Sequence, residues 1–238
     1  MKVAVITDNP GIYQSFAEIA QKHDLKGVVY SYYCNEQSKK LFSDDVQILD
    51  VKSNYTFLIY NYDLVVSCHC KKIFPKQLVN SVRCINIHPG LNPFNRGWFP
   101  QVFAINNGMP HGATIHEMDE EIDHGKIIAQ KEVTIYESDT SKSVYDRVVT
   151  AEVELLDLHF EEIIKNNYVA RPMLNEGNYN SMEDFRNLCK IDMQRVGTFK
   201  EFYNLLRSLT HPPYSNAYFI NDEGHRVKIS IETSEEDK

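Results

Sequence analysis

Features that define several specialised protein classes are scarce or missing in this 238-residue sequence. No apolar run approaches the roughly eighteen residues of a membrane-spanning helix. The five cysteines are an odd number in a chain of ordinary size, which argues against a disulfide framework and favours a reducing compartment. The first apolar stretch is too short for a secretory signal and ends at Asp8. We therefore expect a soluble, cytoplasmic protein without membrane contacts.

Positive charge is also in short supply. The chain has 25 Lys and Arg residues against 33 Asp and Glu residues, a net charge of −8 with neutral histidines. Nowhere do more than two basic residues stand side by side. Because proteins bind nucleic acids through clustered basic side chains that neutralise phosphates, no nucleic-acid partner is predicted.

Two ligand motifs are incomplete. A strand–turn–helix opening suggests half of a dinucleotide site, but only Gly11 is present where G-x-G-x-x-G is required. Cys68, His69 and Cys70 are acceptable zinc ligands, yet no second cysteine pair lies at ligand spacing. We therefore predict neither a dinucleotide cofactor nor a metal.

What is present is an alternation of short apolar runs with helical stretches. Apolar residues make up 42% and charged residues 24% of the chain, as in ordinary globular proteins. This alternation predicts an α/β fold with a mostly parallel, Rossmann-like twisted sheet flanked by helices. Strands are predicted over residues 2–7, 27–33, 46–51, 63–67 and 84–87. Two later strands, over 113–117 and 126–135, are predicted to pair across the loop between them. Helices are predicted over residues 12–23, 74–82 and 140–166.

A change of composition marks the end of the main unit. Arg171 and Pro172 break the long helical pattern, and the following segment is rich in Tyr and Asn. We predict a catalytic domain over residues 1–168 and a small α+β appendage over residues 169–238. Within the appendage we expect a helix over 199–209 and a β-hairpin that pairs 217–220 with 227–231.

Three polar residues are candidates for the chemistry. Asn86 and His88 are two apart at the end of a predicted strand, so their side chains share a face. Asp123 lies in a polar loop between two later strands. Ligands bind beyond the carboxyl ends of strands in open α/β sheets, where these groups can converge. An amide that stabilises an oxyanion, an imidazole that moves a proton and a carboxylate suit acyl transfer to an amine.

The surrounding sequence resembles the formyltransferase family that uses N10-formyltetrahydrofolate. The resemblance rests on residues 86–93 (NIHPGLNP), 112–116 (GATIH) and 123–128 (DHGKII). Gly90 and Asn92 depart from the common family pattern N-x-H-P-S-L-L-P. These departures and residues 94–101 (FNRGWFPQ) are similar to the sugar N-formyltransferases, which formylate dTDP-linked amino-dideoxysugars for bacterial surface polysaccharides.

The resemblance implies roles for individual residues. Asn86, His88 and Asp123 match the catalytic positions of the family. Contacts with the formyl donor are expected from two loops that contribute Cys70, Lys71, Lys72, Ile73, Glu121, Ile122 and Asp123. Contacts with the sugar nucleotide are expected from Asn92, Asn95, Arg96, Trp98, Gln101, Tyr214 and Tyr218. A packing role stays open for the tryptophan and the two tyrosines, and a loop salt bridge for the arginine.

The predicted reaction is formyl transfer from N10-formyltetrahydrofolate to the amine of a dTDP-amino-dideoxyhexose. The resemblance favours dTDP-4-amino-4,6-dideoxy-D-glucose as acceptor, in O-antigen biosynthesis, and a homodimer joined through the appendage. A dTDP-3-amino-3,6-dideoxyhexose acceptor and hydrolysis of the formyl donor are the alternatives. The net negative charge of the chain disfavours formylation of tRNA. A non-enzymatic sugar-nucleotide module would tolerate alanine at the three catalytic positions.

Overall fold

A seven-stranded sheet forms the centre of the computed structural model, which describes residues 1–235. The chain builds in turn β1 (Lys2–Thr7), β2 (Val29–Cys34), β3 (Val46–Ile48), β4 (Leu64–Cys68), β5 (Arg83–His88), the two-residue β6 (Arg96–Gly97), β7 (Gly112–Glu117) and β8 (Ile127–Glu132). The order across the sheet is β3-β2-β1-β4-β5-β7-β8, with β6 outside it. The first five strands are parallel, whereas β7 runs antiparallel to both β5 and β8.

Helices cover both faces of this sheet. They are α1 (Pro10–His23), α2 (Tyr55–Asn61), α3 (Lys76–Val79), α4 (Pro100–Asn107), α5 (Ser141–Ile164), α6 (Met182–Cys189) and α7 (Phe199–Leu209), with a 3-10 helix over Glu36–Leu41. Strand β1 shows why two layers are needed. Its side chains alternate, so that Val3 and Val5 pack with α1 and α5 while Ala4 and Ile6 pack with α2 and α3.

Capping residues fix where the two long helices begin. The Asn9 side chain accepts hydrogen bonds from the first backbone N–H groups of α1, and Pro10 occupies its first turn. Thr140 and Ser143 form a capping box at the start of α5. Both caps lie near the carboxyl ends of the strands, so they anchor the helices at the edge where the cleft forms.

The C-terminal part has a small core of its own. It contains β9 (Tyr179–Asn180), β10 (Thr210–His211), β11 (Tyr214–Ser215), β12 (Ala217–Ile220) and β13 (Arg226–Ile229) besides α6 and α7. Cys189, Leu205, Leu209 and Ala217 are buried together there, and they pack against Val102 of α4. The division at residue 168 stays a prediction, and the last three residues of the predicted appendage lie outside the described range.

The fold class is confirmed. The two late strands pair as predicted, and the structure shows that they run antiparallel. Several details differ from the sequence predictions. Helix α1 starts at Pro10 rather than after it, β3 ends at Ile48 rather than at residue 51, and α3 is shorter than predicted and follows Pro75. Neither α2 nor α6 was predicted. The cysteines, all within the described range, are unpaired. None of the helices in residues 1–235 combines the length and apolar character needed to cross a membrane.

Candidate active site

A cleft opens beyond the carboxyl ends of β4 and β5. The sheet order reverses at β1, since the chain moves to β2 on one side and later to β4 on the other. Such a switch point is where open α/β sheets bind ligands. The cleft has a volume of about 290 Å³ and is lined by two loops, the β4 loop (residues 69–74) and the β7 loop (residues 118–123). Asn86 and His88 lie between them on the same cleft.

The three candidate catalytic residues meet in this cleft. The Asn86 side chain donates a hydrogen bond from Nδ2 to Oδ1 of Asp123 over 3.0 Å. Nδ1 of His88 lies 3.6 Å from Oδ2 of the same carboxylate. Each oxygen of Asp123 therefore faces one of the two residues on β5, as the alternation along the strand predicts.

His116 belongs to the same group of side chains. The register of β5 and β7 places it directly opposite Asn86. Its Nδ1 lies 2.6 Å from the backbone oxygen of Glu117, which can only accept, so this nitrogen carries the proton. In the neutral ring, Nε2 is then free to accept from Asn86 Nδ2 over 3.3 Å.

Gly90 gives the ring of His88 its space. The histidine is 4% exposed, and its Nε2 is buried without a hydrogen-bond partner in residues 1–235. A Cβ atom at position 90 would overlap Nε2. The glycine that departs from the common family pattern therefore supports this orientation of His88.

Burial sets the charges of the site. Desolvation lowers the pKa of His88 to about 4, although Asp123 opposes the shift. Burial alone would raise the pKa of Asp123, but the interaction with His88 and the hydrogen bond from the Gly97 N–H group outweigh it and contribute to lowering that pKa to about 2. At neutral pH the site thus combines an uncharged imidazole with a carboxylate.

Contacts from the segment after β5 hold the β7 loop in place. Asp123 has a left-handed backbone, with φ 50°, and its Oδ2 accepts from the Gly97 N–H group over 3.1 Å. The Asn92 side chain donates to the backbone oxygen of Asp123 over 2.8 Å. Arg96 donates from Nη1 to the backbone oxygen of Ile122 over 3.0 Å. These contacts offset the cost of the strained backbone and aim the Asp123 carboxylate at β5.

Comparison with known families identifies the family to which the chain belongs. Residues 1–158 match the Formyl transferase family, and residues 184–235 match the N-formyltransferase dimerization C-terminal domain. The chain belongs to the formyl transferase family. The first match contains all three candidate catalytic residues.

Relatives of this formyltransferase cover nearly its whole length. It is 41% identical to the dTDP-4-amino-4,6-dideoxyglucose formyltransferase of Mycobacterium tuberculosis, over 97% of this chain and 96% of that one. The crystal structure of a 4-N formyltransferase from Francisella tularensis is 46% identical, with a TM-score of 0.94 over 98% of both chains. A sugar N-formyltransferase from a Shewanella species is 41% identical, with a TM-score of 0.97 over 100% of this chain and 99% of that one.

The residues predicted to contact the donor all line the cleft. Cys70, Lys71, Lys72 and Ile73 come from the β4 loop, and Glu121, Ile122 and Asp123 from the β7 loop. Burial raises the pKa of Cys70 to about 12, so its side chain is a neutral thiol rather than a nucleophile. Contacts with a donor stay a prediction, but these loops form one continuous site.

The residues predicted to contact the sugar nucleotide fall into three groups. Trp98 and Gln101 line the cleft. The other three from the same segment, Asn92, Asn95 and Arg96, are buried and hydrogen-bond to neighbouring segments of this formyltransferase. The last two lie in the C-terminal part, where Tyr214 is exposed and Tyr218 packs beneath Arg226, 4.0 Å from the ring centroid. Substrate contacts by all seven stay predictions.

Several residues of the cleft were not among the sequence candidates, and two of them connect it to the C-terminal part. His69 and Tyr145 both line the cleft, with ring centroids 6.2 Å apart. His211 contacts Tyr145 edge to face, with ring centroids 5.6 Å apart, and the ring of Tyr214 lies 6.4 Å from that of His211, so aromatic rings lead from the cleft to the C-terminal part. The sequence indicates no site role for His69 beyond that of a metal ligand or a member of the loop beside the donor. Tyr145 belongs to an amphipathic helix, whose pattern predicts packing and not a place in the cleft.

Proposed function

We propose that this formyltransferase moves a formyl group from N10-formyltetrahydrofolate to the amine of dTDP-4-amino-4,6-dideoxy-D-glucose. The observation that carries the proposal is the meeting of Asn86, His88 and Asp123 in one cleft. An amide donor, an uncharged imidazole and a carboxylate are the groups that amide formation from an activated formyl requires.

The cleft fits the proposed donor. The β4 and β7 loops line a single cavity in which Phe74, Ile87 and Met118 supply apolar surface for a flat heterocycle. Lys71 is exposed at its edge, where its ammonium suits the carboxylates of a glutamyl tail. When bound, the donor supplies the formyl carbon that the amine attacks.

Asn86 stabilises the charge that develops during attack. Its amide has two hydrogens, which face Asp123 over 3.0 Å and His116 over 3.3 Å. The formyl oxygen would compete with Nε2 of His116 for the longer of these two contacts. Asp123 and its supporting loop keep the Asn86 amide oriented, so little reorganisation is needed as the oxygen becomes negative.

His88 accepts the proton that the amine loses. An imidazole with a pKa of about 4 is uncharged at neutral pH and can take up a proton. The Asp123 carboxylate, 3.6 Å from Nδ1, stabilises the imidazolium that results. The same proton then serves the departing nitrogen of the donor when the adduct collapses.

The choice of acceptor rests on the named relatives. The Mycobacterium tuberculosis protein is a dTDP-4-amino-4,6-dideoxyglucose formyltransferase, and the Francisella tularensis structure is a 4-N formyltransferase. Both match this chain over nearly its full length, including the segment with Trp98 and Gln101, which line the cleft. A dTDP-3-amino-3,6-dideoxyhexose acceptor and hydrolysis of the donor are the competing reactions.

We place the enzyme in the cytoplasm as a homodimer that serves O-antigen biosynthesis. The match to a dimerization domain over residues 184–235 supports the dimer. Large apolar side chains exposed in the C-terminal part, including Val196 and Phe199, supply surface for a second copy. Sedimentation analysis of the purified chain would reveal a monomer if this assembly is wrong.

A coupled assay tests the reaction. The protein is mixed with N10-formyltetrahydrofolate and dTDP-sugars that carry an amine at C3 or C4, with a control that lacks acceptor. We expect tetrahydrofolate release only with the 4-amino sugar, and a product heavier by one formyl group. Release with the 3-amino sugar alone would change the acceptor, and release without acceptor would identify a hydrolase. No release under any condition would overturn the proposal.

A further inference from the structure

A buried carboxylate lies outside the group of reacting side chains. Glu152, on α5, is 1% exposed, and its two oxygens lie 2.8 and 2.9 Å from Nε2 of His69. The adjacent Ala151 and the nearby Leu155 belong to the hydrophobic core. A buried carboxylate is strongly disfavoured unless a donor meets it, so Glu152 depends on His69.

The hydrogen-bond network defines the proton on His69. The Asn9 side-chain oxygen accepts from the first backbone N–H groups of α1, which turns its Nδ2 toward Tyr145 Oη at 2.9 Å and His69 Nδ1 at 3.3 Å. An amide nitrogen only donates, so Nδ1 of His69 accepts. The ring proton is therefore on Nε2, which donates to Glu152.

This pair acts on a strained point of the backbone. His69 directly follows β4 and has a left-handed conformation, with φ 58°. A residue with a side chain adopts this region only when its surroundings hold it there. Two residues on, the Lys71 N–H group donates to Oδ2 of the buried Asp8 over 2.8 Å. Two buried carboxylates thus fix the path of the β4 loop.

The structure assigns to Glu152 the role of a positioning residue that, through His69, shapes the β4 loop for the formyl donor. Glu152 does not line the cleft, whereas His69 and residues 70–74 do. The polar atoms of the His69 ring are both engaged, so the ring serves as a fixed wall. The inference rests on the proposed function, because that function assigns the β4 loop to the donor.

Glu152→Gln tests this role with little change in volume. Glu154→Gln is the matched control, because Glu154 is an exposed glutamate on the same helix that pairs with Lys131. Hydrogen exchange of the β4-loop amides is measured without ligand, followed by the Kd of the unreactive analogue folinic acid. In Glu152→Gln we expect the exchange rates of the β4-loop amides and the Kd for folinic acid each to rise about tenfold. This is less than the roughly hundredfold loss of rate caused by a 1 Å misplacement of reacting groups, because the variant only loosens a wall of the site. The KM of the acceptor should stay within about twofold, because only the donor wall moves.

The two readouts separate the possible failures. Unchanged exchange and unchanged Kd in Glu152→Gln would overturn the positioning role. If hydrogen exchange is faster in Glu152→Gln but even the wild type does not bind folinic acid, the positioning role of Glu152 is supported. The assignment of the β4 loop to the formyl donor is then rejected. If Glu152→Gln does not fold, Glu152→Met fills the same space with apolar atoms and is judged by the same two measurements. Effects equal to those in Glu154→Gln would also overturn the inference.

Discussion

The cleft is built from two kinds of structure that hold their side chains differently. Asn86, His88 and His116 stand on β5 and β7, where alternation and register decide which way each side chain points. Residues 92–98 form a loop whose polar side chains instead turn inward. Asn95 is fully buried in a group of asparagines, with Asn178 as one partner. The strands therefore present Asn86, His88 and His116 to the cleft, and the loop uses its polar groups to hold itself and Asp123.

This difference separates catalytic from positioning roles. Change on a strand should remove a group that meets the reacting atoms while the backbone stays in place. Change in the loop should leave the reacting groups present but misaligned. A change on a strand should thus lower kcat further than a change in the loop does.

Asn86→Ala should have the largest effect. Loss of an oxyanion donor costs about a hundredfold to a thousandfold in kcat, because the charge that develops is no longer stabilised. Steady-state rates with saturating donor and acceptor measure this change. Asn61→Ala, at an exposed position at the end of α2, is the control and should stay within about twofold of wild type. Near-normal turnover of Asn86→Ala would remove this strand residue from the mechanism.

The difference between strands and loop also explains which side-chain directions could be predicted from the sequence. Alternation along β5 was enough to put Asn86 and His88 on one face, because a strand leaves only two choices. The direction of Arg96 could not be read that way. Its contact with Ile122 depends on how residues 92–98 fold against the β7 loop. It also depends on β6, the two-residue strand within this segment, which pairs in parallel with β9 more than eighty residues later. Local patterns carry no information on such contacts.

Gly90→Ala should produce the next largest loss. The new Cβ would overlap Nε2 of His88, so the ring must move while Asn86, His88 and Asp123 are all still present. We expect kcat to fall between about tenfold and a hundredfold, the cost of misplacing a reacting group by up to 1 Å. Gly11→Ala is the control, since its Cβ would meet Asn9 at an ordinary 3.4 Å. A crystal structure of Gly90→Ala with His88 unmoved would contradict this account.

Arg96→Met tests the loop directly. Met keeps the aliphatic volume but removes the guanidinium that donates to Ile122, so the β7 loop and Asp123 lose a support. We expect kcat to fall about tenfold while the KM of the sugar nucleotide changes less than about twofold. Arg186→Met, at an exposed site on α6, should have no effect. A large rise in KM with normal kcat would instead show that Arg96 contacts the substrate.

The smallest effect concerns pH, and it tests whether strand placement sets the basicity of His88. With a pKa of about 4, His88 stays uncharged well below neutrality, so kcat/KM for the donor should change less than about twofold between pH 7.5 and 5.5. A base with an ordinary pKa near 6.5 would lose about tenfold of its kcat/KM over that range.

The lowered pKa of His88 makes the stability of the protein depend on pH over the same range, although the rate hardly does. The unfolded chain takes up a proton near pH 6.5 whereas folded His88 resists it, so the free energy of unfolding is highest above pH 6.5 and decreases toward pH 4. Chemical denaturation of wild type and His88→Asn at pH 7 and pH 5 measures this decrease. A decline in rate centred near pH 6.5 with an equal loss of stability in both proteins would show that burial on β5 does not control this imidazole.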